Sequence, residues 1–327
     1  MTRYHNRSSI LSKNRSGILI ATLLRVFCMI LLLMPPGLTL SGQVAVRDTS
    51  WYIQVDGAQL FVRAVGSGTP LVIIHGGPGM SHDYLAPQLI DLLANEYQLI
   101  FYDQRASGRS SGVEDTTRLT MNQFVSDLEK VRQSLKLKKL NLLGHSFGGL
   151  LAMYYGTAHN KKIGKLLLLD TSPASWELNF PYFRRTIAER QTDTDQQELA
   201  VISKYATTDP VAKERYLKIF FRTFFHNPRL SDSIFLNITE QWLTNSNITG
   251  DKIWADLGQY DIHKRLSRIT APTLIIHGAS SVISVDGAKA VASHISNSKL
   301  IVLKDVGHFP YIEAPQSFAA ALKAFFW

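Results

Sequence analysis

The chain has 327 residues, 45% hydrophobic and 19% charged, which is apolar enough for a sizeable core and argues against disorder. Its formal charge of +9 would suit an anionic partner, but five basic residues precede residue 43, where there is no acid, and the remainder carries only +4. With no basic cluster interleaved with aromatics, nucleic-acid binding is excluded as a class.

Arg3, Arg7, Lys13 and Arg15 form a basic leader, and an apolar run over residues 18–34 follows, interrupted by Thr22 and Arg25. Pro35-Pro36-Gly37 and the small residues Ser41, Gly42 and Ala45 come next. The pattern predicts a secretory signal peptide over residues 1–42, and so a secreted or periplasmic protein. The alternative is an uncleaved anchor, the one case in which a membrane would be a partner. The run is as long as the shortest spanning helices, although Arg25 near its middle makes spanning costly. The single cysteine, Cys28, follows Arg25-Val26-Phe27 rather than the small residues expected before a lipidated cysteine. The mature chain is then expected to lack cysteine, with neither a disulfide nor a thiolate for a metal.

Two strands are predicted over residues 51–55 and 60–65, joined by the favoured hairpin turn Asp56-Gly57. From Leu71 the pattern changes to short, continuously apolar strands alternating with amphipathic helices, as in a buried parallel sheet. The first, residues 71–74, runs into His75-Gly76-Gly77-Pro78-Gly79. Residues 99–102 form the next, and after Thr120, a plausible N-cap, Phe124, Leu128, Val131 and Leu135 recur at helical spacing. Strand 140–143 leads into Gly144-His145-Ser146-Phe147-Gly148 and a helix over residues 150–155. This strand, G-x-S-x-G and helix is the context in which a sharp turn lifts a serine hydroxyl above a sheet. Strand 166–169 ends at Asp170. Over residues 171–268 the alternation stops and aromatic, charged and helix-forming residues predominate, which predicts a helical cap inserted into a core of residues 43–170 and 269–327. A cap over the carboxyl ends of parallel strands would shape a substrate pocket. Strands 273–276 and 300–303 complete the pattern, with Asp286 expected to cap a helix over residues 288–294. The whole is an α/β protein with a doubly wound, mostly parallel sheet.

The chemistry follows from three of these segments. Serine is a weak nucleophile until a base takes its proton, and His308, directly after the last strand, is the best placed of the ten histidines to serve Ser146. Acyl transfer also develops a negative oxygen, for which the backbone N–H groups of Gly77 and Phe147 are the candidate donors. Such chemistry requires no cofactor and no metal.

Through His75 to Gly79, Tyr102-Asp103-Gln104-Arg105, Gly108-Arg109-Ser110 and Gly144 to Gly149, the chain resembles the proline iminopeptidase branch of the α/β-hydrolase superfamily. The resemblance covers nearly everything after residue 50 and implies the α/β-hydrolase fold and removal of N-terminal residues from peptides. The chain departs from the branch in three respects. Ala106 stands where glycine is usual. The usual acid position, three residues after Gly278, holds Ser281, and a neutral serine cannot offset an imidazolium. The acids that hold a substrate's terminal ammonium are replaced at the matching positions by Val282 and Asn245. Asp170 is the candidate substitute for the missing acid, and Glu177 and Glu240 are the candidate substitutes for amine recognition. Three functions are therefore carried forward: a proline iminopeptidase-like aminopeptidase on small peptides, an esterase or other small-molecule hydrolase, and a hydrolase-fold binding protein with impaired catalysis. The oligomeric state is left open.

Overall fold

β1 (Asp48–Val55) and β2 (Ala58–Val65) pair antiparallel about a turn at Gly57, whose φ of +70° lies where glycine is favoured. They belong to a computed structural model that describes residues 47–112 and 114–326, so the expected leader lies outside the described residues. The other strands are β3 (Thr69–Ile74), β4 (Tyr97–Tyr102), β5 (Leu140–His145), β6 (Ile163–Leu169), β7 (Thr273–Gly278) and β8 (Ser298–Leu303). They make one sheet of order β1-β2-β4-β3-β5-β6-β7-β8. β2 meets β4 antiparallel, and every pairing from β4 to β8 is parallel.

The continuous apolar runs are explained by burial on both faces. Leu142, Leu166 and Leu168 enter one core cluster, while their neighbours Leu143, Leu167 and Leu169 enter the other. Each such leucine contributes about 1.5–3 kcal/mol of hydrophobic stabilisation. α1 (Ala86–Leu93), α2 (Met121–Ser134) and α3 (Phe147–Ala158) connect the first strands. Thr120 caps α2 as expected, its Oγ1 accepting from the Gln123 amide at 3.3 Å. Phe124, Leu128 and Val131 face the core.

Between β6 and β7 the described chain is helical, apart from an isolated bridge between Ser175 and Asp261. Its helices are α4 (Trp176–Arg190), α5 (Asp193–Ile202), α6 (Pro210–Phe221), α7 (Glu240–Leu257) and α8 (His263–Leu266). After β7 come α9 (Val285–His294), α10 (Pro310–Glu313) and α11 (Pro315–Phe326). One expectation is corrected here. Ser284, not Asp286, caps α9, because its Oγ reaches the Gly287 amide at 2.9 Å; Asp286 points outward and pairs with Lys289 at 3.1 Å. No helix among the described residues is long and apolar enough to cross a membrane.

Candidate active site

The turn from β5 into α3 is forced tight by missing side chains. A Cβ at Gly144 would stand 2.5 Å from the Gly148 carbonyl, and one at Gly148 would overlap the carbonyl of Ile74 on β3. Ser146 sits at the apex with φ 56° and ψ −124°, a conformation that a non-glycine residue holds only when its surroundings enforce it. Here its amide donates to Leu169 O at 3.1 Å and its carbonyl accepts from the amides of Gly149 and Ser172, both at 3.0 Å.

His308 is buried in the loop between β8 and α10, its amide tied to Phe224 O at 2.8 Å. Its Nδ1 lies 2.7 Å from Oδ1 of Asp170, the fully buried residue that directly follows β6 with φ 42°. The same Oδ1 accepts from Ser281 Oγ at 2.5 Å, and Oδ2 accepts from the Gly278 amide at 2.8 Å. Burial pushes the Asp170 carboxyl up, but the imidazoles of His277 and His308, with the hydrogen bonds from His308 and Ser281, outweigh it and hold the group at about 2. The site therefore has a carboxylate on His308 although the residue after the next strand is a serine. Ser281 is not idle: its hydroxyl donates to Asp170, accepts from the Ile283 amide at 3.0 Å and lies 3.2 Å from His308 Nδ1. With Nδ1–H directed at Asp170, the lone pair of His308 is on Nε2. Ser146 and His308 line the same cavity.

Gly77, at φ 121°, lines the same cavity, and Phe147, the first residue of α3, directly follows Ser146 in the turn. Among the described residues neither N–H has an internal acceptor. The loop carrying Gly77 is braced from two sides. His75 Nδ1 donates to Gly76 O at 2.8 Å and its Nε2 accepts from the Gln104 amide at 3.0 Å. This needs a neutral ring, and burial pushes His75 down to about 4. On the other side, the Gly76 amide donates to Tyr84 Oη at 2.7 Å, Tyr84 is 2.7 Å from His145 Nδ1, and His145 Nε2 is 2.9 Å from His308 O. One proton assignment satisfies the chain. The phenol accepts from Gly76 and donates to Nδ1, so Nε2 carries the hydrogen that the His308 carbonyl requires. Burial pushes His145 down to about 3, consistent with a neutral ring. This relay joins the Gly77 loop, the serine turn and His308. Sequence reasoning missed Tyr84 altogether, and it used His145 only as a member of its motif.

Ala106, which stands where glycine is usual in the branch, has φ 49° and so adopts the backbone region a glycine would. The amine-binding expectation fares differently. Glu177 and Glu240 lie in the first turns of α4 and α7, are exposed and do not line the cavity; nor do Val282 and Asn245. The cavity, of about 270 Å³, is walled by Phe180, Phe183, Phe220, Phe221, Phe224 and Trp254.

A strand-to-helix serine turn on a mostly parallel eight-stranded sheet defines an α/β-hydrolase, and residues 69–315 match the family model described as the alpha/beta hydrolase fold. The chain belongs to that family. Among similar proteins are proline iminopeptidases of Saccharolobus solfataricus, 28% identical with 80% of this chain and 86% of that protein covered, and of Lactobacillus helveticus, 28% identical with 82% and 94% covered. The proline iminopeptidase-related protein of Thermus thermophilus superposes with a TM-score of 0.65 at 25% identity, covering 86% of this chain and 97% of that one.

Proposed function

We propose that this protein is a serine hydrolase that cleaves an ester or amide through an acyl-Ser146 intermediate. His308 Nε2 takes the hydroxyl proton as Ser146 Oγ attacks the substrate carbonyl, then gives it to the departing alcohol or amine. Water, activated by the same nitrogen, releases the acid. The Asp170 carboxylate holds the tautomer of His308 and offsets the imidazolium. The amides of Gly77 and Phe147 receive the developing oxyanion, a contribution of about 10²–10³ in rate per donor. The single observation that carries this reading is the 2.7 Å contact of Asp170 with His308, on a base that shares its cavity with a serine held at a strained apex.

A fluorophosphonate probe tests it. The expected outcome is one adduct, mapped to Ser146 and abolished by Ser146→Ala. An unlabelled, folded and monodisperse protein would return the binding-protein alternative, whose motive was the neutral Ser281.

The relatives' names favour a second reading, a proline iminopeptidase-like aminopeptidase. Turnover of a proline arylamide at a rate comparable to that of short acyl esters would support it. Export is part of the proposal and rests on the leader's sequence. Intact-mass analysis from the native host should find a mature N-terminus between about residues 40 and 48. A full-length chain in the membrane fraction would favour the anchor.

A further inference from the structure

The composition of the cavity wall limits what can be bound beside Ser146. Six of its rings pack on one another or on neighbours: Phe180 lies edge-on to Trp254 with centroids 4.9 Å apart, and Phe224 contacts Phe183 at 5.8 Å, Phe220 at 5.2 Å and Phe221 at 5.1 Å. Phe224 also stands edge-on to the base, 5.4 Å from the His308 ring. The aromatic wall thus reaches the reacting groups without a polar interval.

Among the described residues no carboxylate lines that space. Asp170 is fully buried and takes hydrogen bonds from Gly278, Ser281 and His308. Glu313, beside the base in the fold, is occupied by the amides of Gly307 at 2.6 Å, His226 at 2.9 Å and Asn227 at 3.1 Å. Apart from the catalytic groups and the relay of Tyr84 and His145, the polar side chains of the lining are Ser172 and Asn179, and Asn179 Nδ2 already donates to Tyr260 Oη at 3.1 Å. An ammonium entering here would give up its hydration for two neutral side-chain acceptors, Asn179 Oδ1 and Ser172 Oγ, with no carboxylate to offset its charge. An uncharged ring would displace water from apolar walls without desolvating a charge.

We infer that the substrate is an uncharged ester or amide whose bulky part is apolar, a single ring on a short chain or a branched alkyl group, with no free amine beside the scissile carbonyl. The size follows from the volume: a 150 Å³ apolar cavity holds a benzene ring, and about 270 Å³ leaves room for a short linker. The inference rests on Ser146 acting as proposed above, and it deepens that reading against the aminopeptidase alternative.

Matched substrates test it. 4-Nitrophenyl 3-phenylpropanoate is compared with 4-nitrophenyl acetate, and 3-phenylpropyl acetate with ethyl acetate, so that bulk is offered on either side of the carbonyl. The phenylalanine 4-nitrophenyl ester supplies the same ring with an α-ammonium. At least one bulky ester should exceed its small counterpart in kcat/KM by about 100-fold. The ammonium should lower kcat/KM by about tenfold or more relative to the phenylpropanoate. Asn179→Asp, which puts a carboxylate in the cavity, should move that ratio toward the amino ester by about fivefold or more. If Ser146 is labelled yet the amino ester is preferred, or bulk gives no advantage on either side, the inference is overturned while the hydrolase reading stands. If Ser146 is not labelled and Ser146→Ala leaves turnover unchanged, the hydrolase reading falls and the inference with it.

Discussion

Asp170 and Ser281 converge on one imidazole from adjacent strands, since β6 and β7 are neighbours and both residues follow strand ends. A carboxylate at either position could hold His308, whereas two would face each other where Ser281 now donates at 2.5 Å. Like charges that close cannot both ionise, and the shared proton would weaken the base. Ser281→Asp alone is therefore expected to lower turnover, and Asp170→Asn to lower it by about 10³–10⁴. The double variant should recover part of the loss, read as kcat on the best substrate. A Ser281→Asp single variant faster than the parent would show that Asp170 does not serve the base. At His145 the expectation concerns the relay. His145→Leu leaves the Tyr84 hydroxyl hydrogen without its acceptor and the His308 carbonyl without its donor, each costing about 1–3 kcal/mol if it stays buried, so both the melting temperature and kcat should fall. A change in melting temperature with kcat untouched would confine the relay to stability.

At the scale of the elements, the turn between β5 and α3 is the strictest demand of the fold. Gly148→Ala would drive a Cβ into the Ile74 carbonyl of the neighbouring strand. It should destabilise the protein by about 1–3 kcal/mol or more by denaturant titration and lower activity further by moving Ser146. The sequence made this turn legible, along with the parallel strands, because burial on both faces leaves a run such as Leu166 to Leu169 little freedom in composition. Asp170 was legible as a candidate by its place at the end of β6. Other features were not. Ser284 and Asp286 are both good capping residues two positions apart, and only the geometry of the Gly287 amide separates them. Glu177 and Glu240 face solvent because they occupy the exposed sides of first helical turns, and sequence spacing does not say which side of an inserted helix looks into a cavity. Tyr84 gave no periodic signal, since it sits in a three-residue 3₁₀ turn.

For the molecule as a whole, two buried neutral histidines set the response to acid. His75 is pushed down to about 4 and His145 to about 3 from an ordinary 6.5, so the unfolded chain binds more protons than the native one between about pH 6.5 and 3. Stability should fall as pH drops through that window, on the order of several kcal/mol per histidine. Asp170, held at about 2 against an ordinary 3.8, extends the loss from about pH 4 to 2. Denaturant titrations from pH 7.5 to 4 should show the decline, and His145→Gln, which does not titrate, should flatten it. An unchanged slope would mean that His145 is not held neutral. The joint action of Asp170, His308 and Ser146 is tested most directly by a rate that needs no knowledge of the substrate: the second-order rate constant for fluorophosphonate modification of Ser146, in the parent protein and in Asp170→Asn. The expected result is an adduct on Ser146 in both, formed about 10³-fold or more slowly in the variant. A folded parent protein that forms no adduct, or a variant labelled at the parental rate, would contradict it.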